Sequence, residues 1–228
     1  AEGAFRAIAT NFKKSELYGE SLFLLGEALF RQERFEESTT FLAQLRNEVP
    51  KHQIMPKALF RLGVGLGRLA KWKECEAALS ELQRVAPQFD NQVEADLWRG
   101  RALAGIGNPR GARQAFDRVV ASDRGILAAQ ARLGIGRLHM DSGALEEALA
   151  EFLKVAVLYA HEDEVSEGLY LAGRCLEDLD DLERATKQYR ELIEKYPETE
   201  FAQKAKQRLN DLPQAQVPVT GQARIREQ

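Results

Sequence analysis

Apolar positions along the chain recur with the spacing of one helical face and, at longer range, with a fixed period. Gly26, Gly63, Gly100, Gly136 and Gly173 stand 37, 37, 36 and 37 residues apart, each inside an apolar stretch such as Leu25-Gly26, Leu62-Gly63 or Ile135-Gly136. Twelve residues after each glycine comes a small residue, Ser38, Cys75, Ala112, Ala148 and Ala185. Four further on stands a large one, Leu42, Leu79, Phe116, Phe152 and Tyr189, and three beyond that Leu45, Leu82, Val119, Val155 and Leu192. Steps of three and four place these residues on one side of a helix, so each period predicts two helices joined by a short turn. A turn-side apolar residue stands at Phe35, Trp72, Leu145 and Leu182, with Pro109 in that place in the third period. Pro50, Pro87 and Pro197 end the second helix in three of the five periods, because proline cannot continue the hydrogen-bond ladder.

The small residues carry the packing. Glycine at the waist of a first helix, and Ala, Ser or Cys in the second, let two backbones approach, while the Leu, Phe and Tyr positions fill the groove between neighbouring pairs. One pair cannot bury such a face alone; stacked pairs can. Segments such as Leu22-Phe23-Leu24-Leu25-Gly26, Gly143-Ala144-Leu145-Glu146-Glu147-Ala148-Leu149 and the closing Tyr196-Pro197 resemble tetratricopeptide repeats. That resemblance implies an all-α, right-handed superhelical solenoid of helix–turn–helix repeats. Tyr196-Pro197-Glu198-Thr199 leading into Ala202, Ala205 and Leu209 also resembles tetratricopeptide proteins of the Gram-negative envelope, among them Tol–Pal accessory and outer-membrane barrel-assembly factors.

The period divides the chain. Stepping back 37 residues from Leu42 and Leu45 lands on Phe5 and Ile8, so residues 1–16 read as the second helix of a truncated preceding repeat and its connector. Five repeats occupy 17–197, a capping helix 198–212, and a disordered tail or linker 213–228, where Pro, Gln, Thr and Gly stand without periodicity.

In the resembling family the first helices line a concave surface, and ligands touch the third residue before the waist glycine and the one just after it. Carried over, the earlier position is Phe23, Phe60, Leu97, Leu133 and Tyr170; the later one is Glu27, Val64, Arg101, Arg137 and Arg174. The resemblance thus implies an apolar ladder beside three successive arginines, suited to an extended peptide with apolar side chains and carboxylates. The alternative is that the ladder is inter-helix packing and the arginines pair with Glu94, Glu167 or Asp141. The family's carboxylate clamp needs Lys and Asn where this chain has Phe23, Glu27, Phe60 and Val64, which argues against chaperone docking of that kind. Asp96, Arg99 and Arg132 occupy first-helix positions that are usually apolar, through a local slip of phase or because they face a partner.

Charge changes the picture only locally. With 35 acids against 32 bases the net charge of −3 argues against a basic nucleic-acid module. Residues 97–137 nevertheless hold eight Arg and two Asp, and 141–184 thirteen acids against three bases. Such blocks either orient an incoming partner or form a solvated face, and arginine without lysine suits specific pairing.

Catalytic chemistry finds little support. His52, His139 and His161 have no metal spacing, and Cys75 and Cys175 sit at packing positions as structural thiols. Gly63-Val64-Gly65-Leu66-Gly67 and Gly105-Ile106-Gly107 lack the preceding strand and following Lys-Ser/Thr of a phosphate loop. Glu146-Glu147 and Asp180-Asp181 stand at turns and a helix start, where negative charge suits the helix dipole. No apolar run approaches the roughly 18 residues of a membrane span.

The expectation is therefore a non-catalytic protein-interaction scaffold with no cofactor, metal or small-molecule substrate. Its partner is a protein or peptide with apolar and acidic residues, held in the groove around Phe23, Phe60, Val64, Leu97, Arg101, Leu133, Arg137, Tyr170 and Arg174. A self-assembling module and a helical-repeat nucleic-acid binder are the alternatives. The envelope resemblance implies the periplasm, with the cytoplasm as the alternative.

Overall fold

The computed structural model describes residues 3, 5–7 and 13–212, all helix, turn or loop. The helices come in pairs: α1 (Tyr18–Arg31) with α2 (Phe35–Glu48), α3 (Met55–Arg68) with α4 (Trp72–Val85), and α5 (Gln92–Gly105) with α6 (Pro109–Ser122). Then follow α7 (Ile126–Asp141), α8 (Leu145–Leu158), α9 (Glu162–Asp178), α10 (Leu182–Lys195) and α11 (Glu200–Asp211). Helices α2, α4 and α10 each end two residues before Pro50, Pro87 or Pro197, as a residue preceding proline is pushed out of the helical region.

The turn between paired helices has one backbone solution. Glu33, Ala70, Gly107, Gly143 and Asp180 all have positive φ, between 54° and 77°, and they repeat with the period of the waist glycines. In four of these turns the next residue's N–H closes back on the carbonyl five residues earlier: Arg34 on Leu29, Lys71 on Leu66, Asn108 on Leu103 and Asp181 on Leu176. This left-handed C-terminal cap satisfies carbonyls that the helix leaves without partners. Only two of the five are glycine, so the fold holds Glu33, Ala70 and Asp180 in a conformation that L side chains avoid.

Within the pairs the sixteen-residue spacing from waist glycine to large residue becomes a contact. A Cβ placed on Gly26, Gly63, Gly100 or Gly173 would lie under 3.0 Å from the side chain of Leu42, Leu79, Phe116 or Tyr189 respectively. At the small position Ser38 Oγ donates to the Gly26 carbonyl at 2.8 Å, while Cys75, Ala112 and Ala185 are fully buried.

The chain forms two compact bodies, Ala1–Ser142 and Gly143–Gln228. In the first, α1, α3, α5 and α7 touch one another in series, whereas α2, α4 and α6 pack against first helices, with Arg46 of α2 also reaching Glu81 of α4 at 2.5 Å, giving two layers with the core between them. Its core runs from Tyr18 and Leu22 through Leu59, Leu79 and Trp98, then through Leu97, Phe116 and Ile135. Phe5 packs on this core, and Arg6 pairs with Glu37 at 3.4 Å and lies over the Phe41 ring. In the second body α9 contacts α8, α10 and α11, and α10 contacts α11. There Thr199, only 8% exposed, caps α11 by accepting from Ala202 N–H at 3.2 Å. The tail read from the sequence at 213–228 lies outside the described residues.

Candidate partner-binding surface

On the first-helix layer of the first body a cleft of about 390 Å³ crosses α1, α3 and α5. Its floor is aromatic: Phe23 from α1, Phe60 from α3, and Phe89 from the loop before α5, with the Phe60 and Phe89 ring centroids 5.4 Å apart. Its rim is charged, with Glu27, Arg31, Lys57, Arg61, Asp90 and Glu94. Glu27 accepts two bonds from Arg61, at 2.6 and 3.2 Å, and one from Arg31 at 3.0 Å. The Arg61 guanidinium also covers Phe30 at 4.9 Å and Phe60 at 5.6 Å, so one side chain ties α1 to α3 by charge and by its planar face.

The residues expected to line a single ladder separate by depth. Phe23 and Phe60, at 9% and 5% exposure, reach the cleft, because their rings extend beyond the helix contact. Val64, Leu97 and Leu133, at 3%, 1% and 1%, are interior, and as surface groups they must be corrected. The reason is the serial contact of α1, α3, α5 and α7: these positions fill the seams between first helices, and shorter side chains end inside the seam. Arg101 is half-buried, donates to Gln130 Oε1 at 3.1 Å and stacks on the Trp98 ring at 4.7 Å; Arg68 lies 5.3 Å from the same ring. Arg137 is exposed on α7.

Tyr170 and Arg174 belong to the second body. Tyr170 packs against Tyr189 at 5.9 Å and Phe201 at 5.7 Å. The Arg174 guanidinium is held above its usual pKa chiefly by the Tyr170 oxygen, although burial opposes this; its Nε is buried without a hydrogen-bond partner. Beside them Glu177 accepts from the Tyr189 hydroxyl and from Arg208 of α11.

The arginine-rich stretch is largely committed internally. Asp96, 6% exposed, accepts from Arg118 at 2.7 Å, and Arg99 reaches Glu76 at 3.3 Å and also bonds Gln83. Arg113 bonds Asp117 at 2.9 Å, and Arg124 donates to the Val120 carbonyl at 2.6 Å. Asp96 and Arg99 therefore tie helices together rather than presenting themselves to a partner. Cys75 and Cys175 are buried thiols, pushed up by that burial to about 12 and about 11, where a nucleophilic thiolate is suppressed at neutral pH. Among the described residues no cluster of three His, Cys, Asp or Glu could hold a metal, and no helix is long and apolar enough to cross a membrane.

The sequence reading missed Arg61, Lys57 and Phe89. The signal for the first was present: Glu27 and Arg61 stand 34 residues apart, close to one repeat, so stacking brings them together.

Family models for the tetratricopeptide repeat match residues 20–52, 66–125, 99–163 and 167–199, together well over half of the chain. No curated protein matches. Among solved structures, MamA 41-end from Desulfovibrio magneticus RS-1 superposes with a TM-score of 0.64 at 18% identity, covering 77% of this chain and 93% of its own. YrrB, described as a TPR protein with an unusual peptide-binding site, gives 0.63 at 19% identity over 91% of this chain and all of its own. PilW, described as a widely conserved type IV pilus biogenesis factor, gives 0.65 at 18% identity over 89% and 87%.

Proposed function

Because the chain belongs to the tetratricopeptide repeat family, whose members are protein-interaction scaffolds, we propose that it is a non-catalytic scaffold holding a partner segment against its first-helix layer. The observation that carries this reading is the cleft on α1, α3 and α5: an aromatic floor with both signs of charge at its rim. Apolar side chains of a peptide would bury on Phe23, Phe60 and Phe89, and its carboxylates would meet Lys57 and the Arg61 edge. The peptide-binding description of YrrB, a protein of the same fold, lends this support. The passage from Tyr196 into α11 and the pilus role in the description of PilW support a place within a Gram-negative envelope assembly.

Peptides selected from a random twelve-residue display library on the wild-type chain supply the test. Fluorescence anisotropy should show at least tenfold weaker binding to Phe89→Ala and to Lys57→Glu, with circular dichroism unchanged. Undiminished binding by both variants would place the partner elsewhere. Self-association is the second reading, favoured by Val157 and Leu158, which are 80% and 58% exposed at the end of α8. Light scattering that finds one monomer mass at every concentration would discard it.

A further inference from the structure

The charges around the cleft sort by helix. On α1 and α3, Glu27 is shared between Arg31 and Arg61, so one carboxylate answers two guanidiniums. Lys57, exposed on α3, adds a further cation to that side. Opposite stand Asp90, in the turn before α5, and Glu94, in its first turn. Neither acid makes an ion pair among the described residues. Internal pairing therefore leaves one end of the aromatic floor positive and the other negative.

We propose that this cleft selects a dipolar segment: an apolar, preferably aromatic, residue on the Phe60–Phe89 floor, an acidic residue toward Lys57, and a basic residue toward Asp90 and Glu94. The inference rests on the cleft being the partner site and names what enters it. Neighbouring helices lie about 8–10 Å apart, which about three residues of extended chain span, so the acidic and basic residues flank the apolar one closely. A uniformly acidic segment satisfies Lys57 but sets like charge against Asp90 and Glu94; a uniformly basic one has the converse conflict.

Four synthetic peptides of one length, each with a central Phe and flanked by acid and base, two acids, two bases or two neutral residues, test this by anisotropy at low ionic strength. The dipolar peptide should bind the wild-type chain at least fivefold more tightly than the other three. Lys57→Glu should shift the preference to the doubly basic peptide, and Glu94→Lys to the doubly acidic one. Equal binding of all four, binding of none, or preferences that the two variants leave in place would overturn the dipolar reading. The cleft itself is judged separately by the library-selected peptides: if Phe89→Ala abolishes their binding while they carry no dipolar pattern, the site stands and its selectivity falls. If Phe89→Ala leaves them bound, the site falls as well.

Discussion

Two carboxylates that each collect several donors sit differently in the two bodies. In the first, Glu27 sits at the cleft edge with 13% of its side chain exposed, and the arginines that share it are 76% and 32% exposed. In the second, Glu177 is only 7% exposed and collects the Tyr189 hydroxyl together with both the Nε and Nη2 of Arg208. Counted by the repeat, Glu177 occupies the place of Phe30, Gly67, Ala104 and Met140, three residues before the left-handed turn residue. A carboxylate is tolerated there because α11 brings a guanidinium to it. At its cleft the first body keeps charge at a surface where a partner can meet it, although it also buries Asp96 against Arg118; the second buries charge to fasten its last helix.

The largest way to break this contrast is Glu177→Ala, which strands the Tyr189 hydroxyl and the Arg208 guanidinium. A cost of about 2–3 kcal/mol is expected, below the ~3–5 kcal/mol of a fully buried pair because Arg208 is 36% exposed. A thermal melt followed by circular dichroism would read it. Burial raises the Glu177 pKa, but the hydrogen bonds from Arg208 and Tyr189 outweigh it and hold the carboxyl below its ordinary 4.5. A carboxyl with a lowered folded-state pKa stabilises fully above its unfolded value and loses that contribution as pH falls through the lowered one. The urea midpoint of the wild type should therefore drop more steeply below pH 4.5 than that of Glu177→Gln.

Next in size, Gly63→Ala and Gly173→Ala probe what the two bodies share. Each forces a methyl under 3.0 Å from Leu79 or Tyr189, and each should cost about 1–3 kcal/mol, less the ~1 kcal/mol by which alanine favours a helix. A much smaller loss at Gly173 would mean that Tyr189 gives way more easily than Leu79. Glu27→Gln, at the partly exposed cleft edge, should cost about 0.5–1 kcal/mol in chemical denaturation. The smallest change is a gain: Ala70→Gly, at φ 54°, should stabilise by about 0.5–1 kcal/mol by relieving the left-handed strain. Unchanged stability there would show the strain already relaxed.

Residues that interact within one helix pair were legible. Gly26 with Leu42 and Gly100 with Phe116 stand sixteen positions apart in the chain and touch in the fold, because a short turn returns the second helix onto the first. The left-handed turns were legible only at Gly107 and Gly143; Glu33, Ala70 and Asp180 carry no mark of it, since closure of the turn imposes the conformation whatever the side chain. For the candidate site, the positions implied by the family resemblance include Phe23 and Phe60, which line the cleft, but also Val64, Leu97 and Leu133, which are interior.

Periodicity is a property of local spacing, so the amino-acid order alone was enough for the helices, their pairing and the close approach at the waists. Depth and charge balance are properties of how one pair lies against the next. Whether a leucine ends in a seam or a phenylalanine emerges from it depends on the distance between first helices. Whether an arginine is spent on Glu27, Gln130, Asp96 or Glu177 depends on which side chains stacking brings within about 3 Å, a range over which hydrogen bonds form or fail. No spacing along the chain records that distance.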